Sequence, residues 1–315
     1  MPDPRLDQLL KLTEHLRVPP GTKVKLARDY DPAYKAGWAR KRDGRELLKL
    51  GVSMLAEYQE RLAADGTRAL LVILQGIDAA GKDGTIRHVM SGVNPQGVTV
   101  RSFKVPTDEE LRHDFLWRYQ CALPGRGQIG LFNRSHYEDV LVVRVHPTLL
   151  DNRVLRVTGS SDKLWARRYD DINAWERHLS DNGYKLVKLF LNLSKEEQRT
   201  RFLKRIDLAE KNWKFSSADA REREYWDDYQ HAFSQMLSHT STDLSPWHVI
   251  PADRKWFARI AAGAVIVQAL VELDPQYPSL SDEDRHALGE ARDALLAEAP
   301  PGAPADPFKA SQAAD

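Results

Sequence analysis

The sequence predicts an α/β protein of three layers, with a central parallel sheet of about five strands between helices and a helical lid over one end. Three observations carry this. Short apolar segments bounded by turn residues alternate with segments of helical spacing. One of them, ALLVILQG at 69–76, is apolar on both faces, as a strand buried in the middle of a parallel sheet must be. A glycine-rich turn follows it directly and opens a helix.

The elements come in order. Residues 45–63 place Leu47, Leu48, Met54, Leu55, Tyr58 and Leu62 at helical intervals, and Asp65-Gly66 ends that helix. The strand at 69–76 precedes a helix expected over 82–91, and 98–103 is the second strand. Thr107 and Glu110 form a capping box, which starts a helix running to about Leu123, where Pro124-Gly125 stops it. The remaining strands are 128–132, 184–193 and 247–250. Helices are expected over 162–182, from Ser194 with Glu197 as a second capping box, and over 221–239, 254–273 and 283–299. Residues 1–44 read as a polar extension on the surface, 45–275 as the main domain with a lid at about 194–230, 276–299 as a C-terminal helix, and the Pro/Ala/Asp-rich 300–315 as a disordered tail.

Composition narrows the function. The 315 residues are 42% hydrophobic, enough for a sizeable core, and the net charge is only +1 despite 29% charged residues. A polyanion must therefore be met by a local basic patch, and a protein that coats nucleic acid is not expected. A single cysteine, Cys121, excludes a disulfide scaffold and is expected as a small core residue in the helix around it. The N-terminus lacks the pattern of a secretory signal, and the apolar runs at 69–74 and 260–267 are too short to span a bilayer, so a cytoplasmic protein is expected.

The segment Gly76-Ile77-Asp78-Ala79-Ala80-Gly81-Lys82-Asp83-Gly84-Thr85 matches G-x-x-x-x-G-K. Glycines let the backbone curl so that successive N–H groups face phosphate oxygens, the helix that follows adds its positive dipole end, and Lys82 adds a compact charge. The hydroxyl residue usual after the lysine is replaced by Asp83, with Thr85 two places on, and Asp78 puts a carboxylate inside the loop. Phosphoryl transfer is the expected chemistry. The strand at 128–132 ends in Asn133-Arg134-Ser135-His136-Tyr137-Glu138-Asp139, where Asn133 stands in place of a metal-holding Asp, Glu138 and Asp139 offer carboxylates, and Arg134 can pair with phosphate. A hydrolytic triad from Ser135, His136 and Asp139 is not expected, since adjacent side chains rarely face each other. Between Lys195 and Lys214 seven basic residues oppose four acids, and aromatic residues follow, a mixture that suits a phosphate-closing lid better than an RNA-binding surface.

Four blocks, GIDAAGKDGTI (76–86), SFKVPTDEELRHDFLWRY (102–119), LFNRSHYEDVLVVRVH (131–146) and NWKFSSADAREREYWDDY (212–229), together resemble the family-2 polyphosphate kinases over about residues 20–275. The resemblance implies a P-loop-kinase fold with a helical lid, and Mg²⁺-dependent phosphoryl transfer between inorganic polyphosphate and nucleotides, with Mn²⁺ as a substitute ion. SHYED at 135–139, and Asn133 with it, resembles the subgroup acting on both AMP and ADP. On this reading Lys82, Asp78, Arg134 and Asp139 are catalytic, and Asp78, Asp139 and Glu138 hold the metal. Gly76, Ala79, Ala80, Gly81, Asp83, Gly84, Thr85, Asn133 and Glu138 surround phosphate, while Arg118, Arg201, Arg205, Lys211 and Lys214 line the donor channel or lid. Expected partners are polyphosphate and adenine or guanine nucleotides, with no nucleic acid and no membrane, in a homo-oligomer. An ATP-dependent nucleoside monophosphate kinase and a non-catalytic polyphosphate- or nucleotide-binding protein are the rival readings.

Overall fold

The computed structural model describes residues 11–37, 44–150, 161–300, 303, 304 and 306–308. The chain divides into two units, residues 1–276 and 277–315. The first is built on five strands, β1 (Ala69–Gln75), β2 (Val98–Ser102), β3 (Ile129–Asn133), β4 (Tyr184–Asn192) and β5 (Trp247–Pro251), all parallel in the order β2-β3-β1-β4-β5. Every residue of β1, β3 and β5 is buried. Only apolar runs without alternation can occupy such positions, so these strands are legible in the sequence. β1 lies between β3 and β4, and its carboxyl end faces the turns that follow both.

The helices in chain order are α1 (residues 11–16), α2 (Leu26–Asp29), α3 (Arg45–Asp65), α4 (Lys82–Val89), α5 (Asp108–Leu111), α6 (Trp117–Gln120), α7 (Val142–Val145), α8 (Ser161–Asp181), α9 (Lys195–Asp207), α10 (Ser217–Glu222), α11 (Trp226–Thr240) and α12 (Lys255–Leu273), with α13 (Asp282–Ala297) in the second unit. α3, α4 and α12 pack together, with α12 against β4 and β5, while α8 packs on β4 and against α11. α12 has 19 residues and is long and apolar enough to cross a membrane by length and composition, yet 67% of it is buried inside the protein. It is the core helix of this layer, and the run at 260–267 is its centre.

Three helical expectations are corrected. The capping box of Thr107 and Glu110 forms, but the helix it starts lasts one turn. The Asp114 carboxylate accepts from the Leu116 amide, a local bond that competes with the helical ladder, and the chain resumes as α6. Cys121 consequently lies just past α6 and is exposed, not in the core. Ser194 caps α9 by accepting from Glu197 N, but its own amide donates to Asp253, so the reciprocal half of the box is absent. The helix expected over 221–239 begins earlier, where Ser216 and Asp219 form a capping box, and is interrupted at 223–225 before α11. The tail at 300–315 lies mostly outside the described residues.

The described part of the N-terminal segment buries Leu12, Leu16, Val18, Val24 and Leu26. It runs along the edge strand β5, where Val18 N donates to Trp247 O at 2.8 Å and Ser241 Oγ donates to Val18 O at 2.6 Å. This covers a row of otherwise unpaired backbone groups. Val18→Pro removes the amide and leaves the Trp247 carbonyl unpaired, so it is expected to destabilise the protein by about 1–3 kcal/mol, read from the urea unfolding midpoint.

Candidate active site

The turn after β1 is tight for a stated reason at each end. Gly76 has φ +151°, and a Cβ there would meet Leu191 O at 2.9 Å, so the turn presses against the end of β4. Gly81 has φ +106° and leads into α4, whose N-terminus has no side-chain cap. Between them Ala79 holds φ +64°, a left-handed conformation that alanine rarely adopts. On the facing turn Arg134 holds φ +65° directly after β3. Strained backbone therefore sits on both sides of one point.

At that point the Arg134 guanidinium is shared between two carboxylates. One branch is paired with Asp78 in the loop, and the other donates to Glu138 at 2.8 Å. Glu138, with Asp78 behind it, holds Arg134 more firmly protonated than usual despite burial. Asn133 Nδ2 donates to Asp83 Oδ1 at 2.6 Å, tying the end of β3 to the first turn of α4. Lys82 is buried, and its Nζ donates to Gly76 O at 2.6 Å. Burial, with Arg134 second, lowers its pKa to about 8.

Two cavities meet here, and both are lined by Asp78 and Arg134. The larger has a volume of about 550 Å³ and is walled by residues 78–85, Asn133 and the ends of β2 and β5. Its charged lining is mostly basic and includes Lys82, Lys104, Lys204, Lys255 and Arg259. Among the described residues Lys104, Lys204, Lys255 and Arg259 have no ion pair, so their charge faces the cavity unneutralised. Burial lowers the pKa values of Lys255 and Arg259. The second cavity is narrow and acidic, lined by Asp78, Glu138, Asp219 and Glu222 with Tyr229 and Phe233. Burial raises the pKa of Asp219.

The structure separates the expected site residues into three sets. Gly76, Asp78, Ala79, Ala80, Gly81, Lys82, Asp83, Gly84, Thr85, Asn133, Arg134, Glu138, Arg201, Arg205 and Lys211 line one or both cavities. Within this set Arg201 is a brace, because its guanidinium donates to Ala79 O and Ala80 O at 2.9 Å and to Ala252 O at 2.5 Å, with Nε on Glu197. Arg205 lies 3.7 Å from Asp219. Asp139 and Arg118 line neither cavity. Asp139 is 4% exposed and faces Arg168 at 3.8 Å, because the 136–140 turn carries it inward while Glu138 points out. Arg118 lies over the Phe103 and Tyr119 rings, pairs with Glu110 and donates to Lys104 O at 3.0 Å. It fixes the backbone of a cavity residue. The Lys214 side chain lies outside the described residues.

Sequence reasoning missed Lys104, Lys204, Lys255 and Arg259. The carboxyl-end rule for parallel sheets points to three of them, since Lys104 follows β2, and Lys255 and Arg259 follow β5 at i,i+4 spacing on α12. It also missed Gln198, which donates to Asp78 O at 3.0 Å and is itself held by Arg223 at 2.8 Å.

An oligophosphate in the larger cavity favours the charged form of Lys82 and raises its pKa. Above pH of about 8 binding then takes up a proton, and affinity falls with rising pH by up to about tenfold per unit until free lysine would itself titrate. Calorimetry with inorganic triphosphate at pH of about 9, in two buffers of different ionisation enthalpy, measures the uptake, and Lys82→Met is expected to abolish it.

Comparison with known proteins agrees with this geometry. The family profile described as Polyphosphate kinase 2 (PPK2) matches residues 38–278. The chain is 48% identical over 288 residues to an ADP-polyphosphate phosphotransferase of Rhodopseudomonas palustris, covering 90% of this chain and 98% of that one. It is 43% identical over 266 residues to an AMP/ADP-polyphosphate phosphotransferase of Meiothermus ruber, covering 83% and 94%. The crystal structure of Polyphosphate Kinase 2 from Arthrobacter aurescens superposes with a TM-score of 0.79 at 42% identity, covering 89% of this chain and 96% of that one. A basic cavity and an acidic cleft that meet at the glycine-rich loop after β1, together with these matches, settle the assignment: the chain belongs to the polyphosphate kinase 2 family.

Proposed function

We propose that the protein transfers phosphoryl groups between inorganic polyphosphate and adenine nucleotides, with polyphosphate in the basic cavity and the nucleotide phosphate arriving from the acidic cleft. The observation that carries this is the shared pair Asp78 and Arg134, which line both cavities and so mark where two ligands meet. A donor whose recognisable feature is repeated negative charge suits a wall that includes Lys104, Lys204, Lys255 and Arg259, which have no ion pair among the described residues, whereas a nucleoside triphosphate donor would need base and sugar contacts there.

The reaction moves one bond. A terminal oxygen of the nucleotide phosphate attacks the terminal phosphorus of polyphosphate, the bridging P–O bond breaks, and the shortened chain leaves with the electron pair on its new terminal oxygen. Both oxygens are already ionised, so no general base is needed, and catalysis is positioning and charge neutralisation. Lys82 exchanges Gly76 O for a phosphate oxygen. Arg134 lies between the two ligands and can stabilise the transferring group. The carboxylates of Asp78 and Glu138 face the same junction and would offer hard oxygen donors of the kind that suit Mg²⁺. When bound, Mg²⁺ supplies neutralisation of the phosphate charge. Asp139, buried against Arg168, is left out of that donor set.

Purified protein with polyphosphate, Mg²⁺ and either AMP or ADP, and no ATP, is expected to form ADP and ATP. Failure with both nucleotides would sink the proposal. The relatives' names differ on AMP, so product from ADP alone narrows the acceptor without changing the donor. Lys82→Ala and Asp78→Asn are expected to lower kcat on the order of 10³-fold with the circular dichroism spectrum unchanged. Lys255→Ala and Arg259→Ala are expected to raise KM for polyphosphate and weaken its salt dependence, while KM for the nucleotide stays as it is.

A further inference from the structure

The Ser135-His136-Tyr137 segment has no part in the reaction as described, yet it is fully buried and heavily bonded. Below it lies an ion pair with almost no exposure to solvent. Lys188 projects from the middle of β4 and its Nζ donates to Glu176 Oε2 on α8 at 2.6 Å, to Tyr137 Oη at 3.1 Å and to Thr240 O at 2.5 Å. Glu176 accepts further bonds from Tyr137 Oη at 2.6 Å and Ser245 Oγ at 2.8 Å, and faces His136 Nε2 at 3.3 Å. Burial alone would neutralise both groups, but Lys188 and His136 hold Glu176 down at about 2. Upward, Ser135 Oγ accepts from Gln75 Nε2 at 3.0 Å, and Gln75 is the last residue of β1 before the loop.

We propose that Glu176 and Lys188 are positioning residues for phosphoryl transfer: through Tyr137 and His136 their pair fixes the 134–138 turn, and so the places of Arg134 and Glu138 at the junction of the two cavities. Stability alone does not account for the pair. A buried ion pair is often worth no more than well-packed apolar residues of the same volume, so its use in a core this apolar points to another benefit. What it adds is direction. One carboxylate oxygen, Glu176 Oε1, and the Lys188 ammonium hold the turn from α8 and β4, while Glu176 Oε2 and the ammonium are themselves tied to the 240–245 segment. That turn starts from a left-handed arginine, a conformation that persists only when its surroundings over-determine it. It also carries Glu138, one of the two carboxylates that Arg134 bridges. The inference uses the reaction proposed above but rests on different residues.

Tyr137→Phe tests it with the loss of a single oxygen. The phenyl ring keeps its packing against Trp247 at 4.7 Å between centroids, while Glu176 loses a donor and Lys188 an acceptor. The expected result is a fall in kcat on the order of tenfold to a hundredfold, with KM for polyphosphate and nucleotide each within about twofold of wild type. Hydrogen exchange of the 133–141 segment is expected to rise, which can be measured whether or not the protein turns over. The paired variant Glu176→Gln/Lys188→Met, which removes both charges together, is expected to fold and to show the same loss of kcat. Wild-type kcat in folded Tyr137→Phe, a loss confined to KM, or unchanged exchange in the turn would each overturn the proposal. Absence of any wild-type turnover with polyphosphate would instead count against the proposed reaction, leaving the exchange measurement to decide this one.

Discussion

The site depends on the sharing of one guanidinium between Asp78 and Glu138. Asp78 belongs to the loop after β1 and Glu138 to the turn after β3, and these meet only because β1 and β3 are neighbours in the sheet. Arg134 joins them across the gap and brings the two strand ends to a common point. Removing it would leave two carboxylates facing each other in a partly buried place, so the same residue maintains the ligand-free geometry and, in the reaction proposed above, supplies charge to the ligands. Lys82 behaves similarly. Its ammonium rests on Gly76 O, a position that satisfies the lysine without a ligand and keeps it close to where a phosphate would come.

The pairing of Asn133 with Asp83 explains the two departures from the ordinary glycine-rich loop. In P-loop enzymes of the usual kind, a hydroxyl residue after the lysine and an acidic residue at the neighbouring strand end face the same ion. Here the carboxylate is on the loop side and the uncharged amide on the strand side, and the two are bonded directly at 2.6 Å. Each substitution makes sense only with the other. An Asp at both positions would place like charges in contact, and a hydroxyl opposite Asn133 would lose the charged acceptor.

Much of this was legible in the sequence, for reasons that can be named. β1 was readable because a central parallel strand is apolar throughout, the other strands because short β-rich runs stand between turn residues, and the loop because Gly76 and Gly81 stand where φ is positive. Asp139 lies against Arg168 and lines neither cavity; a run of acids after a strand gives no indication of which side chain turns outward, and the 136–140 turn decides it. Arg118 and Arg201 read as ligand-facing cations because charge is visible in a sequence and its partners are not. Arg201 serves the carbonyls of Ala79, Ala80 and Ala252, which are remote from it in the chain. Lys188 was hidden for the opposite reason. In YKLVKLFLN it reads as the polar face of a half-exposed strand, and only the layer of α8 above it supplies Glu176.

The large basic cavity has a further consequence. Its cations are spread over the loop, the end of β2, α9 and the start of α12, so no single spot defines where a ligand must sit. A molecule with a distinct head and tail would bind such a wall in one orientation. A chain of identical charged units meets it equally well after sliding by one unit. The wall is therefore degenerate in register toward a chain of identical charged units.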